Sequence, residues 1–331
     1  MGKCMNDPKS DRTWLGHPVS LSTLFFTELW ERFSYYGMRA LLVRFMVDEV
    51  QKGGMSLDDE MATAIYGLYT AFVYLACLPG GWMADRLMGA RQAVWVGGLV
   101  IALGHFTLAI PHPAAFFTGL LLVIIGTGLL KPNVSAMVGQ LYPEGGARRD
   151  AGFTLFYMGI NAGAFLGPLV CSYLGENVNW HMGFAAAGVG MIFGLIQFQL
   201  TRHRLGDVGG IKKRSNDADS RMDRAWYPVI GLLTLLMLVI GCVASGVLKV
   251  NPLSLAQHTT YVIVGLAVAF FVYIFVFGKL NVAEVKQTCV IVVLFIASAV
   301  LFLILKYRLV GSNPWVPCSS LHWPPYSPHS G

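Results

Sequence analysis

The sequence contains few charged residues. Asp, Glu, Lys and Arg make up 13% of its 331 positions, whereas hydrophobic types make up 55% and the mean hydropathy is +0.58. Soluble globular domains carry about 25% charged residues. The composition therefore excludes an ordinary soluble domain and indicates a membrane protein.

Paired cysteines and catalytic motifs are missing as well. Six cysteines are scattered without CxxC spacing, so we expect neither disulfides nor a metal site. No Walker GKS/T loop, HExxH, GxSxG or CxxCH occurs in the sequence, which leaves ATP hydrolysis and hydrolytic catalysis without support. We expect no enzyme and no cofactor. No basic leader with a cleavage site precedes the first apolar segment, so we also expect no signal peptide to be removed.

Apolar stretches of the length that crosses a membrane recur along the chain. A helix needs about 20 such residues to cross a hydrocarbon layer of ~30 Å. Apolar length and flanking turn signals predict nine spanning helices, at 20–47, 61–84, 91–110, 114–138, 150–174, 182–200, 226–247, 259–278 and 287–306.

The net charge of +6 is distributed between these spans. Lys and Arg gather in alternate loops and not along one face, which is typical of topogenic charge and argues against nucleic acid as a partner. The residues before the first span and the segment 201–225 are basic. The positive-inside tendency therefore predicts a cytoplasmic N-terminus and membrane lipid as the surroundings of a multi-pass protein.

The basic segment separates a block of six helices from the rest. We predict an all-α polytopic membrane protein with a cytoplasmic N-terminus, a six-helix bundle, a cytoplasmic basic linker, two accessory helices, a seventh core helix and a Pro/Ser-rich tail. These regions are 1–19, 20–200, 201–225, 226–280, 281–308 and 309–331.

The first span, "FFTELWERFSYYGMRALLVRF", is unusually rich in ionisable groups. Helical spacing places six polar or charged residues on one face: Glu28, Glu31, Arg32, Tyr35, Tyr36 and Arg39. Four charges near mid-span would cost about 10–14 kcal/mol in lipid, whereas the apolar residues return only about 3–7. The face must line a protein interior or a water-filled cavity, where Glu28 and Arg32 form an i, i+4 pair. A fixed ion-pair network that only specifies packing is the alternative.

The fourth span carries Lys131 in "GTGLLKPNVSAMVG", followed by a proline that loosens the helix. We expect its partner to be Glu28 or Glu31, so that protonation of the carboxylate would release the lysine. Snorkelling to the boundary is the alternative.

Two further polar residues lie in apolar helices. Asn161 in "FYMGINAGAFLGPLV" is flanked by glycines that suit close helix contact, and its amide serves either an interhelical hydrogen bond or a binding site. His105 in "LGHF" is read as a packing residue in preference to a proton relay.

The segment "GGWMADRLMGAR" at 80–91 joins the second and third spans. It resembles the loop signature of the major facilitator superfamily, in which glycines permit close approach and a tight turn and charged residues lie at the helix ends. The residues that match this loop motif are Gly81, Asp85, Arg86, Gly89 and Arg91.

Together, "ELWERFSYYG", "GGWMADRLMGAR", "GTGLLKPNVSAMVG" and "FYMGINAGAFLGPLV" resemble the proton-dependent oligopeptide transporter family. The resemblance implies symport of di- and tripeptides with protons by alternating access, in a bacterial cytoplasmic membrane, and leaves the oligomeric state open. It implies a proton-coupling cluster of Glu28, Glu31, Arg32 and Lys131, a carboxylate-binding pair of Arg39 and Lys131, and peptide contacts from Tyr36, Tyr74 and Asn161.

Family members have about twelve core spans, and the end of this sequence, "FLILKYRLVGSNPW", departs from their seventh. We therefore expect a chain that carries the N-terminal half and is truncated or frameshifted after the seventh core span. The alternatives are a membrane fragment that transports nothing, or nitrate or amino-acid symport by the same family.

Overall fold

The computed structural model describes residues 13–210, 251–278 and 281–311, with isolated positions at 231, 234 and 238. Apart from these three positions, the predicted span 226–247 lies outside the described residues, as do most of the predicted linker and the tail beyond 311. The described chain is almost wholly helical. Its helices are α1 (Val19–Val47), α2 (Asp59–Met83), α3 (Ala90–Leu108), α4 (Pro113–Gln140), α5 (Gly146–Asn177), α6 (Trp180–Thr201), α7 (Pro252–Phe277) and α8 (Val282–Gly311).

Helix boundaries follow from capping residues in the sequence. The Asp58 carboxylate accepts a hydrogen bond from the Met61 amide at the start of α2, and the Asn179 side chain accepts from the Met182 amide at the start of α6. Each cap satisfies an amide that has no partner within the helix. The predicted spans agree with these helices to within several residues, although α7 begins at Pro252 and not at 259.

Six helices of residues 13–210 form a bundle in which α1 is the central element. It packs chiefly on α5 and α6 and touches α2 and α4, while α3 packs on α4 and α6. The contact between α1 and α5 is close because glycines face the α1 backbone. A Cβ on Gly163 would lie 2.2 Å from the Leu29 carbonyl oxygen, and one on Gly167 would lie 2.2 Å from that of Phe33. No larger residue fits these two positions without moving a helix.

In the described part of the chain, six helices are long and apolar enough to cross a membrane: α2, α4, α5, α6, α7 and the apolar stretch of α8. The first helix is long enough but is not sufficiently apolar, because it carries several ionisable residues. Helix α3 is short and contains the polar residues Arg91, Gln92 and His105. Yet α1 is one of the most buried helices of the bundle. Neighbouring helices therefore shield Glu28, Glu31 and Arg32 of α1, as the cost of charge in lipid predicts.

One end of the bundle holds a structured surface that the sequence did not predict. We call it the linker end; it comprises residues 13–18, 84–91, 140–146 and 201–210. Two short antiparallel strands, β1 (Thr13–Trp14) and β2 (His17–Pro18), precede α1, and His17 Nδ1 lies 2.8 Å from Tyr142 Oη. The first ten residues of the predicted linker are likewise ordered against the helices.

Residues 260–311 form a second unit. Within it, the rings of Phe271 in α7 and Phe295 in α8 lie 5.9 Å apart in an edge-on arrangement. The seventh core helix was predicted over 281–308, whereas α8 runs to Gly311. Lys306 and Arg308 therefore fall within the helix, and the first proline that can stop it is Pro314.

Candidate functional site

The charged face of α1 forms a compact ion cluster inside the bundle. Arg32 Nε lies 2.7 Å from Glu28 Oε1 and 2.7 Å from Glu31 Oε2. The exposed fractions of Glu28, Glu31 and Arg32 are 2%, 0% and 4%. The predicted pair between Glu28 and Arg32 is thus present, and one guanidinium serves both carboxylates.

The two carboxylates are not equally satisfied. Nε carries a single hydrogen, which it donates to Glu28 Oε1. Among the described residues, neither oxygen of Glu31 has a hydrogen-bond donor, and Arg32 Nη2 has no acceptor. Glu31 is therefore held by charge attraction alone in a fully buried position, which is costly for a carboxylate.

Formal charges in the cluster do not cancel. Two carboxylates and one guanidinium sum to −1, because −1 − 1 + 1 = −1. A buried charge of this kind requires a further cation or a proton nearby. The Lys131 charge acts on the Glu31 carboxylate, so Lys131 is the additional cation that the described residues provide.

Lys131 does not form the ion pair that the sequence suggested. Its Nζ lies over the ring of Tyr74, 4.3 Å from the centroid, and no ion pair within 4.0 Å joins it to either glutamate in the described part of the chain. Arg32 already occupies the space between both carboxylates, so the ammonium rests on the aromatic face instead. Such a contact is individually weak at an exposed site, and Tyr74 is 58% exposed.

A second cation–aromatic contact lies farther along the same face of α2. Arg39 Nε donates to Tyr66 Oη, and the guanidinium carbon lies 5.2 Å from the centre of the Tyr66 ring. Tyr66 and Tyr74 are eight residues apart, hence about 12 Å apart along α2 at ~1.5 Å per residue. Arg39 and Lys131, the two cationic residues predicted to bind the substrate, thus each contact a tyrosine on the same face of α2, at different heights along that helix.

The remaining predicted contacts are placed as follows. Tyr36 is half-buried on α1, with its ring 5.3 Å from that of Tyr35. Asn161 is exposed on α5 and forms no hydrogen bond or ion pair with the described residues. The interhelical hydrogen bond considered for Asn161 is therefore absent from the described bundle.

Sequence reasoning missed two residues near this site. The buried Asn133 amide donates to the Leu129 carbonyl at 2.6 Å and to the Gly80 carbonyl of α2 at 3.4 Å, which ties α2 to α4 beside Lys131. The charges of Lys131, Arg32 and Glu31 also reach the half-buried Cys77 thiol on α2. The spacing of Asn133 two residues after Lys131 was the available signal for the first; nothing local marked the second.

The loop motif between α2 and α3 has a defined structure. A π-helical turn over Ala84–Met88 leads into Gly89, whose φ of +80° places it in a region that favours glycine. Asp85 and Arg86 are exposed. Gly81 of α2 approaches α4, where a Cβ would lie 3.9 Å from Pro132 Cβ.

Arg91 of the same motif binds the start of the linker. Its Nε and Nη2 donate to the carbonyl oxygen of Val208, and Nη2 also donates to that of Gly206. This motif residue therefore fixes the chain as it leaves the bundle.

His105 is fully buried, and neither ring nitrogen has a hydrogen-bond partner among the described residues. Its surroundings agree with a packing residue.

The spanning helices and the charged interior define a multi-pass integral membrane protein. Residues 91–308 match the family model PTR2, described as the POT family. The chain belongs to the POT family, as the four motifs indicated, and is therefore a member of a family of transporters.

Two curated relatives illustrate the similarity. The chain is 40% identical over 302 residues to the peptide transporter YePEPT of Yersinia enterocolitica. It is 39% identical over 306 residues to a di-/tripeptide transporter of Lactococcus lactis. The first alignment covers 87% of this chain and 58% of the relative, and the second covers 89% and 60%. The chain thus spans less than two thirds of the length of these relatives.

Solved structures give the same result for the fold. A peptide transporter of the POT family in complex with sulfate matches with a TM-score of 0.75 and 40% identity, over 94% of this chain and 65% of that one. A POT family transporter in complex with 5-aminolevulinic acid matches with a TM-score of 0.77 and 35% identity, over 86% of this chain and 58% of that one.

Proposed function

We propose that this chain provides the N-terminal half of a proton-coupled symporter of di- and tripeptides. The observation that carries the proposal is the buried cluster of Glu28, Glu31 and Arg32, whose net charge is −1, together with Lys131, whose ammonium lies over an aromatic ring and forms no ion pair with the described residues. Curated relatives named as di-/tripeptide transporters support the substrate class. We propose no enzymatic activity.

Proton coupling would operate through charge compensation. With both glutamates ionised, the cluster is negative and attracts the Lys131 ammonium. Moving the ammonium away from the cluster then costs free energy. When Glu31 takes a proton, the cluster becomes neutral, and Lys131 is free to bind an anion such as a peptide carboxylate. Release of the peptide would restore the attraction and favour loss of the proton.

The substrate would lie along the open face of the bundle. Lys131 of α4 and Arg39 of α1 supply positive charge beside two levels of α2, and polar groups come from Tyr36, Tyr74 and Asn161. An extended dipeptide spans roughly 7 Å at ~3.5 Å per residue. A peptide carboxylate would therefore engage one cation first, and reach both only if the two side chains converge.

The regions predicted from the sequence are part of the proposal. Residues 20–200 would form the N-terminal bundle, 226–280 two accessory helices and 281–308 the first helix of a second bundle. The bundle would rock against that second bundle around the midplane site, as inverted-repeat transporters do.

Orientation follows from the positive-inside tendency. We place the linker end in the cytoplasm of a bacterial cell, with the protein in the cytoplasmic membrane. In a variant without native cysteines, an impermeant maleimide added outside should not label Arg148→Cys, whereas it should label Glu176→Cys at the opposite end. Labelling of Arg148→Cys from outside would reverse the orientation.

Transport is tested in proteoliposomes. Because the chain spans about 58% of the Yersinia transporter, the assay uses a chimera in which that relative's remaining part follows this chain. An imposed proton gradient should drive dipeptide accumulation, and Lys131→Ala should abolish it. Lys52→Ala is the matched control, since Lys52 is an exposed lysine whose ion-pair partners in the described structure are the nearby Asp48 and Glu49. Full accumulation by Lys131→Ala would reject the proposed role of this lysine.

A further inference from the structure

A cleft that combines apolar side chains with two arginines and two amides lies at the linker end, away from the charged cluster. It has a volume of about 530 Å³ and is formed by the start of α3, the end of α6 and residues 209–210 of the linker. Its polar lining consists of two arginines, Arg91 and Arg202, and two amides, Gln92 and Gln199. None of the described residues that line it is acidic, so the cleft attracts anions.

The two arginines have different tasks. Arg91 Nε and Nη2 hold the linker carbonyls, which forms one wall of the cleft. Arg202 is exposed, and its side chain forms no hydrogen bond or ion pair with the described residues. Its guanidinium therefore retains all of its donors for a ligand, and such a fork suits phosphate oxygens.

The cleft continues into an apolar surface on the membrane side. Trp95 lines it and is 36% exposed, as is common for tryptophan at a membrane boundary. One turn farther along α3, Leu99 is 37% exposed, and one turn back along α6 from Gln199, Ile196 is 51% exposed. These residues lie on the same helix faces as the cleft. A ligand bound here would contact cations at one end and apolar side chains at the other.

We propose that this cleft binds the headgroup of an anionic phospholipid, with the acyl chains along the outer faces of α3 and α6. Basic pockets between spanning helices are suited to such headgroups. Since Arg91 joins this cleft to the linker, a bound lipid would also stabilise the linker against the bundle.

The test measures lipid retention by the purified full chain in detergent with native mass spectrometry. Phosphatidylglycerol and phosphatidylcholine with identical acyl chains are titrated separately. We expect the anionic lipid to bind at least about 10-fold more tightly, because both lipids carry a phosphate but the choline cation of phosphatidylcholine is repelled by the arginines of the cleft. Arg202→Gln should reduce the affinity for phosphatidylglycerol by roughly 10-fold or more, because it removes a charge-assisted hydrogen bond to the phosphate, and Trp95→Ala should reduce it without any change of charge.

Arg204→Gln is the matched control. Arg204 lies in the same short helical turn and is exposed, but it does not line the cleft, and among residues that the structure describes its side chain donates to Ser22 Oγ, at 3.4 Å. This variant should retain phosphatidylglycerol as the wild type does. Equal loss in both variants, or equal binding of the two lipids, would overturn the site. If inorganic phosphate displaces the lipid at a similar concentration, the proposed lipid ligand is wrong and the cleft binds a soluble phosphate instead.

Discussion

The contact between α1 and α5 can be tested with one added methyl group. Gly163→Ala would place a Cβ 2.2 Å from the Leu29 carbonyl oxygen and 2.9 Å from Arg32 Cβ. Ordinary contact begins at 3.4 Å, so α5 must move by about 1.2 Å relative to the α1 backbone (3.4 − 2.2). Overpacking of this kind costs about 1–3 kcal/mol, and the movement also disturbs the backbone that carries Arg32.

A control in the same protein separates this clash from helix propensity. A Cβ added at Gly67 on α2 would have no atom within 4 Å, so Gly67→Ala should stabilise its helix by about 0.5–1 kcal/mol. Thermal unfolding of the purified chain in detergent should give a lower midpoint for Gly163→Ala and an equal or higher one for Gly67→Ala. If Gly163→Ala unfolds at or above the midpoint of Gly67→Ala, the close contact between α1 and α5 is wrong.

Three further predictions concern individual contacts. Arg32→Gln leaves two buried carboxylates without their guanidinium and should destabilise the bundle by about 3–5 kcal/mol, measured by chemical unfolding; an effect below ~1 kcal/mol would mean that the cluster is hydrated. Tyr74→Leu should remove a cation–aromatic contact of about 0.5–1 kcal/mol and speed amine-reactive labelling of Lys131, whereas Tyr74→Phe should not; equal labelling rates would contradict the contact. Arg44→Gln breaks the pair with Glu176, whose side chains are 64% and 43% exposed, so unfolding should change by less than ~1 kcal/mol, and a larger change would indicate a buried network.

Local spacing was sufficient to predict the central features. The pair between Glu28 and Arg32 follows from an i, i+4 interval that any helix produces. Burial of that face follows from the cost of placing charge in lipid, which does not depend on the details of the fold. The family resemblance came from motifs that lie within single helices or turns.

Contacts between helices could not be derived in this way. Whether Lys131 meets a carboxylate or the Tyr74 ring depends on how α2 and α4 cross, and on the prior occupation of both carboxylates by Arg32. The same holds for Arg39 and Tyr66, and for the linker carbonyls bound by Arg91. Sequence spacing does not encode these distances, because they join residues far apart in the chain.

The most direct test of the account asks whether the buried cluster takes a proton. Infrared difference spectra of the purified chain, recorded across a pH titration, report the carbonyl band of protonated carboxylic acids. We predict a band that changes with pH and is lost in Glu31→Gln but persists in Glu176→Gln, a change of an exposed glutamate. A band that is the same in the wild type, Glu28→Gln and Glu31→Gln would show that the cluster is a fixed ion pair and would contradict its role in coupling.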